Sequence, residues 1–204
     1  LIGKTPNYGM HRPENRQTNI RVRVETELRN EAEFGALGIH LGEILKDKVP
    51  VLEGLRNPKE VDLKQIGAAM ASSGMTSIFH LCSSCPKGSE KPESLTVERK
   101  DLKETFESLS TTHREPDMVF IGCPHCSFNE LTQIAKLIKG KKVSEDIRFW
   151  ACTSRYVREK SADYVKMIEG AGGKVVSDTC AVVTWLKELG VDVLMTNSAK
   201  TAYY

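Results

Sequence analysis

Hydrophobic positions in the second half of the chain come in short runs separated by longer amphipathic stretches. "MVFIG" (118–122) is an apolar run rich in β-formers. "SFNELTQIAKLIKG" (127–140) has helical periodicity, with Ser127 and Glu130 at capping-box spacing and Gly140 as a C-terminal stop. "IRFWAC" (147–152) predicts a strand and "SRYVREKSADYVKMIEGAGG" (154–173) a long amphipathic helix. "KVVSD" (174–178) predicts a strand, "AVVTWLKELG" (181–190) a helix and "VDVLMT" (191–196) a last strand. Strands alternating with helices predict crossover units and a mostly parallel sheet with flanking helices, an α/β fold.

The first half follows the same plan more loosely. "NIRVRVETEL" (19–28) alternates like a half-buried strand. "EAEFGALGIHLGEILKD" (31–47) predicts a helix whose internal glycines imply close packing. "LKQIGAAMASSG" (63–74) predicts a small-residue helix and "TSIFHLC" (76–82) a strand. "SSCPKGSEKPES" (83–94) reads as a polar loop, and "DLKETFESL" (101–109) as a helix capped by Asp101. The expected division is residues 1–112, built of strand–helix units, and residues 113–204, a βα-repeat part. No internal repeat stands out.

Composition adds bounds. The 204 residues suffice for one large domain or two small ones. A formal net charge of +2 gives no broad basic field, so a nucleic-acid partner is not expected, and "KGKK" (139–142) reads as a solvated loop. No apolar run is long enough to span a bilayer and no secretory signal is visible, so no membrane partner and a cytoplasmic location are expected. The chain starts at Leu1 and is expected to be a fragment or a processed piece. Six cysteines are too sparse for a disulfide scaffold, and their clustering points to metal binding or thiol chemistry.

Polar chemistry falls at the strand ends. The four strand signals of the second half are followed by Gly122-Cys123-Pro124-His125-Cys126, by Cys152-Thr153-Ser154, by Asp178-Thr179-Cys180 and by Thr196-Asn197-Ser198-Ala199-Lys200. In a parallel sheet these ends share one edge, where helix N-termini also point and ligands bind.

Several readings of the cysteines remain open at this point. "CPHC" (123–126) is a dithiol sequence of thioredoxin-like proteins, but the capping box starts the helix only at Ser127 and no proline follows Pro124. Cys82-x-x-Cys85 and Cys123-x-x-Cys126 could form a four-thiolate zinc site in a non-catalytic binding module, although a helix and a strand intervene. Cys82 and Cys152 fit small buried hydrophobes. An iron–sulfur cluster held by thiolates from separate loops would use Cys123 and Cys180, with Thr153, Ser154, Asn197, Ser198 and Lys200 orienting an anionic substrate.

"TPNYGMHRPENR" (5–16), "FGALGIHLGEIL" (34–45), "GCPHCS" (122–127), "DTC" (178–180) and "TNSAKTAYY" (196–204) resemble, in order, the large subunit of the aconitase X family. The resemblance implies an aconitase-like fold. It also implies a hydro-lyase that dehydrates a small hydroxy acid, with phosphomevalonate as first substrate and cis-3-hydroxy-L-proline as second. It implies an iron–sulfur cluster, 4Fe–4S in preference to 2Fe–2S, held by three cysteines. Two of these match Cys123 and Cys180, and the third is expected from an upstream segment outside this chain. His125, Thr153, Ser154, Asn197, Ser198 and Lys200 are the implied substrate-binding residues. A small swivelling-domain subunit, separate or fused, is the expected partner and source of a catalytic serine. Cys126 matches no family ligand, and "HLCSSCPKGSE" (80–90) departs from the family pattern.

Each implied residue also has an ordinary reading. Thr153 and Ser154 can cap a helix beginning near Arg155, His125 can anchor its loop, and Lys200 can be a surface cation. Tyr8, His11, Glu14 and Asn15 can reach a site or anchor a polar loop, and His40 fits a packing role among apolar neighbours.

Overall fold

The computed structural model describes residues 3–82 and 93–204. It divides into two compact units, Leu1–Ser108 and Leu109–Tyr204.

The first unit opens with two short 3-10 turns, Gly9–His11 and Pro13–Arg16. Strand β1 (Ile20–Val24) leads to helix α1 (Glu31–Leu45), β2 (Pro50–Glu53), α2 (Glu60–Gly74), β3 (His80–Leu81), β4 (Glu93–Val97) and α3 (Arg99–Leu109). The strands form one sheet in the order β3-β2-β1-β4, every pair parallel. The alternation expected of β1 is present: Ile20, Val22 and Val24 are buried and Arg21 and Arg23 are exposed. Its buried face packs on Phe34, Leu37 and Leu41 of α1, Ile66 and Met70 of α2, and Leu102 of α3. Helices α1 and α2 approach closely through glycine, as the sequence implied. A Cβ at Gly74 would stand 1.8 Å from the Gly42 carbonyl oxygen, and one at Gly38 would stand 2.6 Å from the Ala69 Cβ.

Three local expectations change. The "TSIFHLC" strand shrinks to His80–Leu81. Helix α3 begins at Arg99, and Asp101 accepts from the Glu98 N–H at 2.7 Å from inside the first turn, so it closes the helix start without being its cap residue. Strand β4 takes Glu93 and Ser94 from the end of the expected polar loop, whose residues 83–92, with Cys85, lie outside the described residues.

The second unit contains β5 (Met118–Cys126), α4 (Phe128–Ile138), β6 (Arg148–Thr153), α5 (Arg155–Lys160), α6 (Ala162–Gly170), β7 (Lys174–Ser177), β8 (Leu194–Thr196) and α7 (Ala199–Tyr203). The sheet order is β7-β6-β5-β8, again parallel throughout. The capping box at α4 is present in both directions, with the Ser127 N–H donating to Glu130 at 2.8 Å and the Glu130 N–H to Ser127 Oγ at 3.3 Å. One face of the sheet packs Ile121, Cys126, Ala151 and Val175 against α4 and α6. The opposite face packs Met118, Phe120, Cys123 and Cys152 against Ala181, Leu186 and Val191.

Two helix expectations in this unit are corrected. The segment expected as a helix over 181–190 is a series of turns. Its inward residues Ala181, Leu186 and Val191 recur every five positions, which no α-helix can keep on one side. It also carries Val182, Val183 and Thr184 in succession, three β-branched residues with restricted side-chain rotamers in a helix. The expected long helix over 154–173 breaks at Ser161, where φ is −107° and ψ 24°. The Ser161 N–H reaches both the Val157 and Arg158 carbonyls as the axis changes.

Candidate metal centre

Strand β5 does not end at Gly122 as a plain strand would. Its pairing with β6 shifts register between Ile121 and Cys126. Gly122 allows this, with φ +109° and a backbone so close to β6 that a Cβ would lie 2.1 Å from the Cys152 carbonyl oxygen. Beyond the irregularity, Cys123 and Cys126 pack into opposite core clusters. Their thiols therefore serve neither a common dithiol nor a common metal, whatever the CxxC spacing suggests. Cys126 is buried beside Leu131 and Ile134.

Cys123 meets Cys180 instead. The two side chains lie within mutual hydrogen-bonding reach, the Thr201 hydroxyl is turned to the same sulfur, and the Lys200 charge acts on it. Cys123 is 4% exposed, and burial pushes its thiol above the ordinary value while Thr201 and Lys200 act in the opposite direction. Cys152 is fully buried nearby and its thiol is pushed up to about 11, by burial first, with Cys180 and Cys123 adding to it. Both buried thiols therefore keep their protons at neutral pH, and binding a metal would release the proton of Cys123.

The backbone around this pair is held by side chains, among them Ser198 and His125, which the sequence singles out. Ser198 is 2% exposed; its hydroxyl donates to the Cys123 carbonyl and accepts from the Thr201 N–H at 3.1 Å. His125 places Nε2 2.7 Å from the Thr179 carbonyl. A carbonyl only accepts, so that nitrogen carries the proton. The Cys152 thiol donates to the same carbonyl. Thr184 donates to the Cys180 carbonyl at 2.8 Å and shares a hydroxyl contact with Thr179, also at 2.8 Å. The loop carrying Cys180 is thus fixed on both sides. Asp178, at φ +59°, pairs with Arg155 through a 2.9 Å bond from Nε.

The other candidate residues sit differently. The Thr153 hydroxyl is buried and donates to the Cys126 carbonyl, and Ser154 caps α5 by accepting from the Val157 N–H at 3.2 Å. In this conformation Thr153 and Ser198 are supports of the loops rather than groups open to a ligand. Asn197 is exposed just after β8, and Lys200 is half-buried in α7, where its positive charge acts on the Cys123 thiol. Sequence reasoning passes over Thr179 and Thr201. The only signal for Thr201 is its place one turn after Ser198.

In the first unit, the turns before β1 anchor themselves. Asn15 Nδ2 donates to the Gly9 carbonyl at 2.8 Å, the Arg16 guanidinium reaches the His11 carbonyl at 3.0 Å, and Tyr8 is exposed. His40 is half-buried on α1. Cys82 is exposed with its sulfur 3.7 Å from Glu53 Oε1.

Among the described residues no three His, Cys, Asp or Glu side chains gather in a metal-holding group. The paired thiols fit two positions of a thiolate-ligated cluster and leave at least one ligand to come from elsewhere. Among the described residues no helix is long and apolar enough to cross a membrane.

Comparison with known proteins agrees with this architecture. Residues 18–107 match the aconitase X second domain and residues 116–204 the aconitase X third domain. The phosphomevalonate dehydratase large subunit of Methanocaldococcus jannaschii is 41% identical over 100% of this chain and 54% of its own length. The cis-3-hydroxy-L-proline dehydratase of Pseudomonas aeruginosa is 30% identical over 100% of this chain and 38% of its own length. The crystal structure of Thermococcus kodakaraensis aconitase X in its holo-form superposes with a TM-score of 0.88 at 36% identity, covering 100% of this chain and 54% of that one. The chain thus spans about half the length of the archaeal relatives. Two domain matches covering most of its residues, on the same parallel α/β architecture, show that this chain belongs to the aconitase X family.

Proposed function

We propose that this chain is part of the large subunit of an iron–sulfur-dependent hydro-lyase that removes water from a small hydroxy acid. The first substrate is (R)-5-phosphomevalonate, giving trans-anhydromevalonate 5-phosphate in an archaeal mevalonate route, and cis-3-hydroxy-L-proline is the second. The reading is supported by the names and identities of the relatives, with phosphomevalonate dehydratase large subunits at 41% and 42% and the hydroxyproline enzyme at 30%. The observation that carries the metal chemistry is the meeting of Cys123 and Cys180 at the end of β5.

Cys123 and Cys180 would hold the cluster, 4Fe–4S in preference to 2Fe–2S, with the third thiolate from outside this chain. When bound, an iron with an open position supplies Lewis acidity to a departing hydroxyl. Binding and orientation fall to residues of this chain. Lys200 offers a positive charge to the substrate carboxylate beside the Cys123 thiol. Asn197, Ser154 and His125 offer hydrogen-bonding groups along the same rim. Ser198 holds the carbonyl of Cys123 itself, and Thr153 holds that of Cys126 at the end of β5. The proton acceptor is a serine of a small swivelling-domain partner, separate or fused.

The test uses the complete complex of large and small subunits, purified without oxygen. Iron and sulfide analysis with a brown absorption supports the cluster, whereas stoichiometric zinc in a colourless protein refutes it. Turnover is then measured with phosphomevalonate and with the 3-hydroxyprolines. Cys123→Ser and Cys180→Ser are expected to abolish turnover, while Cys82→Ser leaves it nearly intact. Equal loss in all three contradicts the assignment.

A further inference from the structure

Thr201 is 7% exposed, and its hydroxyl has no hydrogen-bond partner of full geometry among the described residues. A buried hydroxyl in that state costs stability and calls for an explanation. Helical threonines commonly return the hydroxyl to the carbonyl one turn back, as Thr105 does to Asp101 at 2.8 Å and Thr132 to Phe128 at 2.9 Å. Thr201 does not.

Its surroundings are fixed from two directions. The Thr201 N–H is tied to Ser198 Oγ, and that same oxygen donates to the Cys123 carbonyl. The first turn of α7 is thereby clamped to the end of β5, and the Thr201 hydroxyl faces the Cys123 sulfur. A neutral thiol is a poor acceptor, whereas a thiolate is a strong one. A sulfur held as a thiolate by metal would give this buried hydroxyl a strong acceptor.

We propose that Thr201 donates its hydroxyl hydrogen to the Cys123 sulfur when that sulfur is a metal-bound thiolate, which makes Thr201 a positioning residue that tunes the iron–sulfur centre. The inference rests on the reading that Cys123 is a cluster ligand. Donation withdraws electron density from the sulfur, which favours the reduced cluster and raises its potential. It also offsets the cost of a buried negative charge, which slows loss of the cluster. The Thr201 methyl group cannot do either.

The experiment compares wild type, Thr201→Val and Thr201→Ser in the complete anaerobic complex. Valine keeps the shape and removes the hydroxyl; serine keeps the hydroxyl and removes the methyl. Circular dichroism checks folding. Iron and sulfide content, the midpoint potential from an EPR-monitored redox titration, and the rate of bleaching in air are then read. Thr201→Val is expected to show a more negative potential and bleaching about tenfold faster, while Thr201→Ser behaves like wild type. A folded Thr201→Val that takes up no iron beside a loaded Thr201→Ser also supports the inference. Equal potentials and equal bleaching in Thr201→Val and wild type overturn it, as does equal failure of both variants to load. An iron-free wild type overturns the ligand reading itself, and this inference with it.

Discussion

Gly122 is where the fold and the candidate centre depend on one atom's absence. Replacing it with alanine forces a side chain onto φ +109°, a conformation that costs a non-glycine residue about 1–3 kcal/mol. The new Cβ would also fall 2.1 Å from the Cys152 carbonyl oxygen and 3.0 Å from the same residue's carbonyl carbon and amide nitrogen. Those atoms belong to a strand whose other edge is paired, Cys152 lying opposite Val176. None of them is the flexible end of a side chain. Relief requires β5 to part from β6, at the expense of about one net hydrogen bond, roughly 1 kcal/mol, and of core contact around Cys152. The expected loss is about 3–5 kcal/mol, a large share of the ~5–15 kcal/mol that stabilises a typical domain. Gly140→Ala isolates the backbone contribution, since Gly140 has φ +73° and an added Cβ there would meet no described atom within 4 Å; its expected cost is about 1–2 kcal/mol. Urea unfolding of the full chain followed by tryptophan fluorescence measures both, because Trp150 and Trp185 both belong to the second unit. Equal midpoints for the two variants would refute the steric argument and leave only the dihedral cost.

Two further outcomes follow from the packing and charge of each unit. Gly74→Ala places a Cβ 1.8 Å from the Gly42 carbonyl oxygen, so α1 and α2 must separate; a loss of about 3 kcal/mol or more is expected in a thermal melt followed by circular dichroism, and an unchanged melt refutes it. Asp117 accepts from the N–H groups of Val193 at 2.7 Å and Asp192 at 2.8 Å, and these bonds hold its carboxyl below the ordinary 3.8. A lowered folded pKa means stability that is complete above the unfolded value and is lost as pH falls through the folded one. Asp117→Asn, which keeps an acceptor and removes the charge, should therefore unfold at lower urea than wild type at pH 7, and the gap should close below pH 3.8. A gap that persists in acid would show that the charge is not its source.

Much of the second unit is legible in the sequence because its local signals agree with its tertiary needs. Ser127 and Glu130 form the capping box that their spacing implied, and the apolar runs of β5, β6 and β7 are strands. Where the pattern misleads, it does so for a physical reason. Residues 181–190 obey the five-residue spacing of a chain crossing a sheet, with Trp185 and Val183 outward, and a helical reading of the same apolar letters is wrong. CxxC misleads in a similar way. Along an extended segment, residues three apart face opposite sides, so Cys123 and Cys126 separate into different cores even though the letters suggest a pair. Thr201 is invisible in the sequence because nothing in "SAKT" distinguishes a hydroxyl aimed at a sulfur from one facing water.

The sequence offers four strand ends as equals, and the strand order ranks them. From β5 the chain steps outward to β6 and β7, then returns to the other side of β5 to form β8. The crevice at such a reversal lies between β5 and β8. Cys123 lies in the last part of the first of these strands and Ser198, Lys200 and Thr201 follow the second, while the returning segment brings Cys180 across the face that holds Cys152. Thr153 projects to the opposite, helix-covered face with Cys126, which is why the two hydroxyl-bearing ends do not meet equally. The first unit has the corresponding order, with β1 in the place of β5 and β4 in the place of β8. There the strand is followed by Glu25, Thr26 and Glu27 in place of a cysteine. The same reversal thus carries carboxylates in one unit and thiols in the other. The topology fixes where chemistry can gather, and only the residues at the reversal decide which chemistry it is.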